Sequence, residues 1–210
     1  MATLDHIMVA HSDLDTAIAL VEEATGIRAA PGGKHPGQGT HNALASFGDG
    51  TYLELIAPDP DGEGLLGEQF SMLDELTIAS WIARSDAAEE VVERAESSGL
   101  AATIIPLSRS TPDGDLLEWR MVHVTGHDAG GLMPMFIDWG DTPHPSTTQP
   151  AGLSLDHFSV SSDRAEPARA ALRALDLDVQ VDDGTEAYQA RITGPVGSLQ
   201  LSGRPMLRMS

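Results

Sequence analysis

Two short runs place ionisable side chains inside otherwise apolar strands. In LDHIMVA (residues 4–10) His6 shares one face with Met8, and in TYLELIA (residues 51–57) Glu54 shares one face with Tyr52 and Ile56, because side chains along a strand alternate sides. An imidazole and a carboxylate on one concave surface can bind each other and act as a general base held by its partner. They can also contribute to a divalent-metal site. Plainer readings stand beside these: His6 as a satisfied core histidine, and Glu54 on the solvated face of a half-buried strand. The tripeptide LDH returns at residues 155–157, so the first feature occurs twice.

The remaining chemistry is bounded by composition. The chain has no cysteine, which excludes disulfides, thiolate metal sites and cysteine nucleophiles. A metal would have to use His, Asp, Glu or amide ligands. With 32 acidic against 12 basic residues the formal charge is −20, which argues against nucleic acid or an anionic membrane surface as partner. Lys34 is the sole lysine. No glycine motif follows a strand and opens a helix in the manner of a dinucleotide site, and no serine stands in a nucleophile-elbow context. No window is apolar enough to span a bilayer and no basic-then-apolar leader opens the chain, so a cytoplasmic protein is expected.

The elements that must position these residues recur. HSDLDTAIALVEEATGI reads as a helix, with Ser12 placed to cap it, Asp15 as its capping-box partner, a Leu14–Ile18–Val21 stripe and Gly26 as a stop. Strand-like segments GIRAA, THNALASF and TYLELIA follow, the last two flanking the tight-turn signal GDG. The order then repeats. LTIASWIA, a helix opened by Asp86 and Glu89, and the strands LAATIIPL, LLEWRMVHV and GLMPMFIDW form the second pass, with STPDG as a turn. LSLDHFSV, EPARAALRAL, DVQVDD, EAYQARIT and SLQLSG form a third, weaker one. The stretches APDPDGEGLLGEQ and DTPHPSTTQPAG read as linkers or lids. Three βαβββ passes predict an α+β protein of repeated units.

A repeated βαβββ unit with His on its first strand and Glu on its last resembles the vicinal oxygen chelate superfamily of glyoxalases, extradiol dioxygenases and bleomycin-resistance proteins. GGKHPGQGTHNALASFGDGTYLELIAP and MFIDWGDTPHP resemble more narrowly its glyoxalase-like domain group. The resemblance implies curved, antiparallel-rich sheets enclosing a cavity. Metal ligands would come from the first and last strands of each unit: His6 and Glu54 in the first, and His157 and Gln200 in the third if it reaches the same cavity. The second unit departs from the pattern, with Ala79 and Phe136 at the matching positions. Adjacent units usually pack together. Residues 1–141 are therefore expected to form paired units, residues 142–152 a linker, and residues 153–210 a third unit packed on that core or across a homodimer.

The resemblance also implies a small-molecule ligand. His6 and Glu54 are the candidate catalytic pair. His41, Asn42, Trp139 and His144 are candidate substrate contacts, although His41 and Asn42 point to opposite faces of a regular strand. Two functions follow. One is a lyase, isomerase or dioxygenase using Zn, Mn, Ni or Fe; the other is a metal-free binding or sequestering protein of the resistance type. The reach of His157 decides between them.

Overall fold

The computed structural model describes residues 2–110 and 116–206. The first pass runs β1 (Thr3–Ala10), α1 (Leu14–Thr25), β2 (Ala30–His35), β3 (Thr40–Ser46) and β4 (Tyr52–Pro58). A short helix, α2 (Leu65–Phe70), follows. The second pass is β5 (Thr77–Arg84), α3 (Ala88–Ser97), β6 (Ala101–Ser110), β7 (Leu116–Thr125) and β8 (Met135–Asp138). The third is β9 (Ser154–Ser162), α4 (Ala165–Ala174), β10 (Gln180–Asp183), β11 (Ala187–Thr193) and β12 (Ser198–Gly203). The STPDG turn lies largely outside the described residues. No described helix is long and apolar enough to cross a membrane.

The twelve strands of the described residues join one curved sheet in the order β1-β4-β3-β2-β6-β7-β8-β5-β12-β11-β9-β10, with a further β1–β5 pairing, an α+β fold. That pairing closes the first eight strands on themselves, so the first two passes share one enclosed interior. The third pass hangs from the start of β5, where Ser202 and Gly203 pair with Thr77 and Ile78 in parallel. A side chain at Gly203 would sit 2.0 Å from the Ile78 carbonyl oxygen, so this junction needs glycine.

Strand alternation sorts the two faces. On β4, Leu53 and Leu55 enter the main core, which also takes Leu14, Ala17, Ile18 and Val21 from α1. Tyr52, Glu54 and Ile56 face the enclosed side. The other helices pack likewise, through Ala88, Val91 and Ala95 of α3 and through Ala165, Ala168 and Leu172 of α4. Trp81 ties the third pass to the rest by packing tilted against Phe158, ring centroids 5.6 Å apart.

Helix starts differ from the sequence expectation. The α1 cap is Asp13, not Ser12; its carboxylate accepts the Thr16 N–H at 2.8 Å. No neighbouring side chain caps α3. Asp138, fifty residues away on β8, accepts the Ala88 N–H at 3.0 Å instead, a tertiary substitute for a local cap.

Candidate ligand site between the first two repeats

The ring encloses a cavity of about 420 Å³. His6 and Met8 from β1, His35 from β2, Asn42 and Leu44 from β3, and Tyr52, Glu54 and Ile56 from β4 line one side. The other side is Ile82 of β5, Ile105, Leu107 and Arg109 of β6, Trp119 and Met121 of β7, and Met135, Ile137 and Trp139 in and after β8. The first repeat thus supplies the polar wall, and the second supplies an apolar wall with one cation.

His6 is the centre of the polar wall. Its Nδ1 donates to Asp5 Oδ1 at 2.6 Å and its Nε2 lies 3.4 Å from Glu54 Oε2. Tyr52 stacks on the ring, centroids 4.4 Å apart. Burial by itself disfavours the imidazolium, but the hydrogen bonds and charges of Asp5 and Glu54 outweigh it and raise the His6 pKa to about 9. Burial raises Glu54 in turn, and the bond and charge of His6, with help from His35 and Asn42, bring it down to about 2. The resting state is therefore an ion pair, Glu54⁻ with His6⁺.

Asp5 anchors this pair from behind. It is fully buried, and its Oδ2 accepts from Trp139 Nε1 at 3.2 Å and from His144 Nε2 at 2.9 Å. Desolvation opposes its charge, but the bonds from His144 and His6 hold it well below the usual carboxylate range. Glu54 Oε1 accepts from Asn42 Nδ2 at 2.6 Å. His35 Nδ1 donates to Thr40 Oγ1 at 3.0 Å, which leaves its Nε2 facing the Asn42 amide at 3.4 Å. Burial lowers the His35 pKa and favours this neutral ring.

The mouth is covered by α2, whose Leu65, Leu66 and Gln69 line the cavity with Gln38 and Met206. Gly67 N–H donates to the Gln38 carbonyl at 3.2 Å. A side chain at Gly64 would lie 2.2 Å from the Gln38 carbonyl carbon, so the helix start and the β2–β3 turn touch backbone to backbone.

Of the residues expected from sequence, His6, Glu54, Asn42 and Trp139 line the cavity, and His144 reaches it through Asp5. His41 does not; it sits on the opposite face of β3, as alternation requires once Asn42 points inward. Phe136 is buried in the main core, and its neighbours Met135 and Ile137 face the cavity. The expected alignment there was one residue out of register, which turns every side chain to the wrong face. Ala79 packs with Ala10, Ile56 and Phe70. His157 and Gln200 are exposed and both pair with Arg191 of β11, so within this chain neither of them reaches the His6 cavity.

Three contributors were missed. Asp5 should face away from His6, but the ladder steps from Leu4↔Ala83 to His6↔Ile82 and leaves Asp5 as the extra residue of a bulge. His35 lies in the glycine-rich stretch GGKHPGQG, where no strand alternation fixes the face it takes. Arg109 had a usable signal, since Ile105, Leu107 and Arg109 share one strand face.

The implied divalent ion does not fit these residues. His6 Nε2 and Glu54 are two donors already joined as an ion pair. His35 Nε2 stands 4.0 Å from Glu54 Oε1 with the Asn42 amide in reach of both. The opposing wall offers apolar side chains and a guanidinium. Among the described residues no three His, Asp or Glu side chains group in a way that holds a metal, against the three or more N/O ligands such an ion needs.

A repeated βαβββ scaffold closed around a cavity defines the vicinal oxygen chelate class. A family model described as "Glyoxalase-like domain" matches residues 4–175, and the chain belongs to that family. A hypothetical protein from Staphylococcus aureus superposes with TM-score 0.69 at 16% identity, over 98% of this chain and 86% of that one. Methylmalonyl-CoA epimerase from Mycobacterium tuberculosis gives 0.47 at 21% identity, over 64% and 86%. Among curated proteins none matches this sequence.

Proposed function

We propose that the chain binds a small organic molecule in this cavity without a metal ion. The ligand's apolar body lies on the wall of Ile82, Met121, Ile137 and Trp119, and its polar end meets His6, Glu54, Asn42 and His35. The observation that supports this reading is the division of the cavity into one polar and one apolar wall, in a volume of about 420 Å³, within the range of small-molecule sites. A fluorescence or calorimetric melting screen tests it, comparing the chain with a Leu107→Trp variant whose indole fills the cavity. Ligands that raise the melting temperature of the first and not of the second support the reading. A stoichiometric metal in the purified protein, or ligands that stabilise both proteins equally, overturns it.

A second reading is favoured by the Asp5–His6–Glu54 chain. Glu54, kept ionised against an apolar wall, can take a proton from a bound carbon or oxygen acid, while the Asp5-anchored His6 stabilises the charge that moves. Deuterium exchange into a bound ligand, abolished by Glu54→Gln with binding retained, would support this catalytic form.

A further inference from the structure

We infer that Arg109 makes this cavity selective for ligands bearing one carboxylate group, a specificity that rests on the small-molecule reading above. Among the described residues Arg109 is the only lysine or arginine that lines the cavity, and it is 5% exposed. Its Nη1 donates to the Gly32 carbonyl across the β6–β2 seam. Among the described residues no carboxylate lies within ion-pair distance of it. A guanidinium has five N–H donors in a planar fork, and one of them serves that carbonyl.

A purely structural pin across the seam would explain the Gly32 bond and no more. A neutral donor would do the same work, whereas a buried cation with no carboxylate in ion-pair contact is costly, and Glu54 acts on this one only at longer range. The fork is the group that recognises carboxylates two bonds at a time. The local charges favour a monoanion over a dianion. The wall carries a single guanidinium, and the sole lysine is turned outward to Asp59 and Asp61. A phosphate dianion would bring two charges to one guanidinium beside Glu54. The rest of the molecule is specified by the strand that carries Arg109 and by its neighbours. Ile105 and Leu107 stand beside it, and Trp119 and Trp139 lie with centroids 5.5 Å apart, a surface for a short aromatic or aliphatic chain.

The test uses pairs that differ only in charge: phenylacetate with phenylacetamide, and hexanoate with hexanamide, titrated by calorimetry at neutral pH. A charge-assisted bond of the usual strength predicts that each carboxylate binds at least about tenfold tighter than its amide, and that Arg109→Gln removes the preference while Arg109→Lys keeps part of it. Equal binding of acid and amide by the unaltered protein overturns the inference and leaves the small-molecule reading standing. A carboxylate preference that survives Arg109→Gln also overturns the assignment to Arg109. If neither member of either pair binds, or if both bind the Leu107→Trp variant as well, the cavity reading falls and the inference with it. The comparison on the unaltered protein decides the matter even if Arg109→Gln does not fold.

Discussion

Asp5 and Glu54 grip one imidazole from opposite sides: Asp5 Oδ1 lies 2.6 Å from His6 Nδ1 and Glu54 Oε2 lies 3.4 Å from His6 Nε2. Two buried carboxylates thus share one cation, and each depends on it.

Removing the shared cation is therefore worse than removing one anion. His6→Ala leaves two buried carboxylates facing a void and is expected to cost about 3–5 kcal/mol. Glu54→Gln keeps the Asp5–His6 pair and an amide in the same shape, and is expected to cost less, about 1–2 kcal/mol. Urea unfolding of both variants gives the order; a larger loss for Glu54→Gln contradicts the arrangement.

Stability should vary with pH on both sides of a maximum near pH 6.5. His6 is raised from its ordinary 6.5 to about 9, so its contribution is complete below 6.5 and is lost as pH climbs through 9. Glu54 is lowered from 4.5 to about 2, so its contribution is present above 4.5 and disappears as pH falls through 2. His35, lowered by burial, adds a loss below its ordinary value because the unfolded chain takes up that proton first. Melting temperatures from about pH 2 to about pH 10 read the curve. In His6→Gln the alkaline limb should flatten and Glu54's share of the acid limb should shrink with it, because the His6 charge is what lowers Glu54, leaving the loss carried by His35; an unchanged alkaline limb would remove His6 as its cause.

Added Zn²⁺, Mn²⁺, Ni²⁺ or Fe²⁺ should leave the melting temperature where it is, because an ion bound only by the native state would raise it. A rise of several degrees with one ion, abolished by His6→Ala and by Glu54→Ala, would show a metal site built on this pair.

Gly64→Ala should loosen the lid without unfolding the protein. The added methyl meets backbone atoms of Gln38 and Gly39 at 2.2 to 2.6 Å, so α2 must move off the β2–β3 turn. Hydrogen exchange of amides 65–70 should quicken while global stability changes by no more than about 1 kcal/mol. Unchanged exchange there would show that the contact does not hold the helix down.

The repeat was legible because each pass carries a helix-period stripe between strand-period runs, and the cavity-facing parity of Tyr52, Glu54 and Ile56 followed from alternation alone. What was not legible depended on register and on distant partners. The returning LDH shows this best. In β9 the ladder steps from His157↔Arg191 to Leu155↔Ile192 and leaves Asp156 as the extra residue, as Asp5 is in β1. The tripeptide therefore marks a repeated bulge. In the third pass the same bulge leaves Asp156 bonded to Ser154 and Thr193 on an exposed edge, and His157 in solvent. Asp138 as the cap of α3 is a second case, since no local pattern announces a cap supplied from another strand.

Among the described residues the closure of the barrel is uneven. β1 and β5 are joined by seven residue pairs, whereas β2 and β6 share the single pair Lys34↔Ser110 among the described residues. Like a bound book, the two repeats have a sewn spine at β1–β5 and a loose fore-edge at β2–β6. Arg109 and Gly32 meet at that fore-edge, so the guanidinium that lines the cavity is also a clasp between the covers.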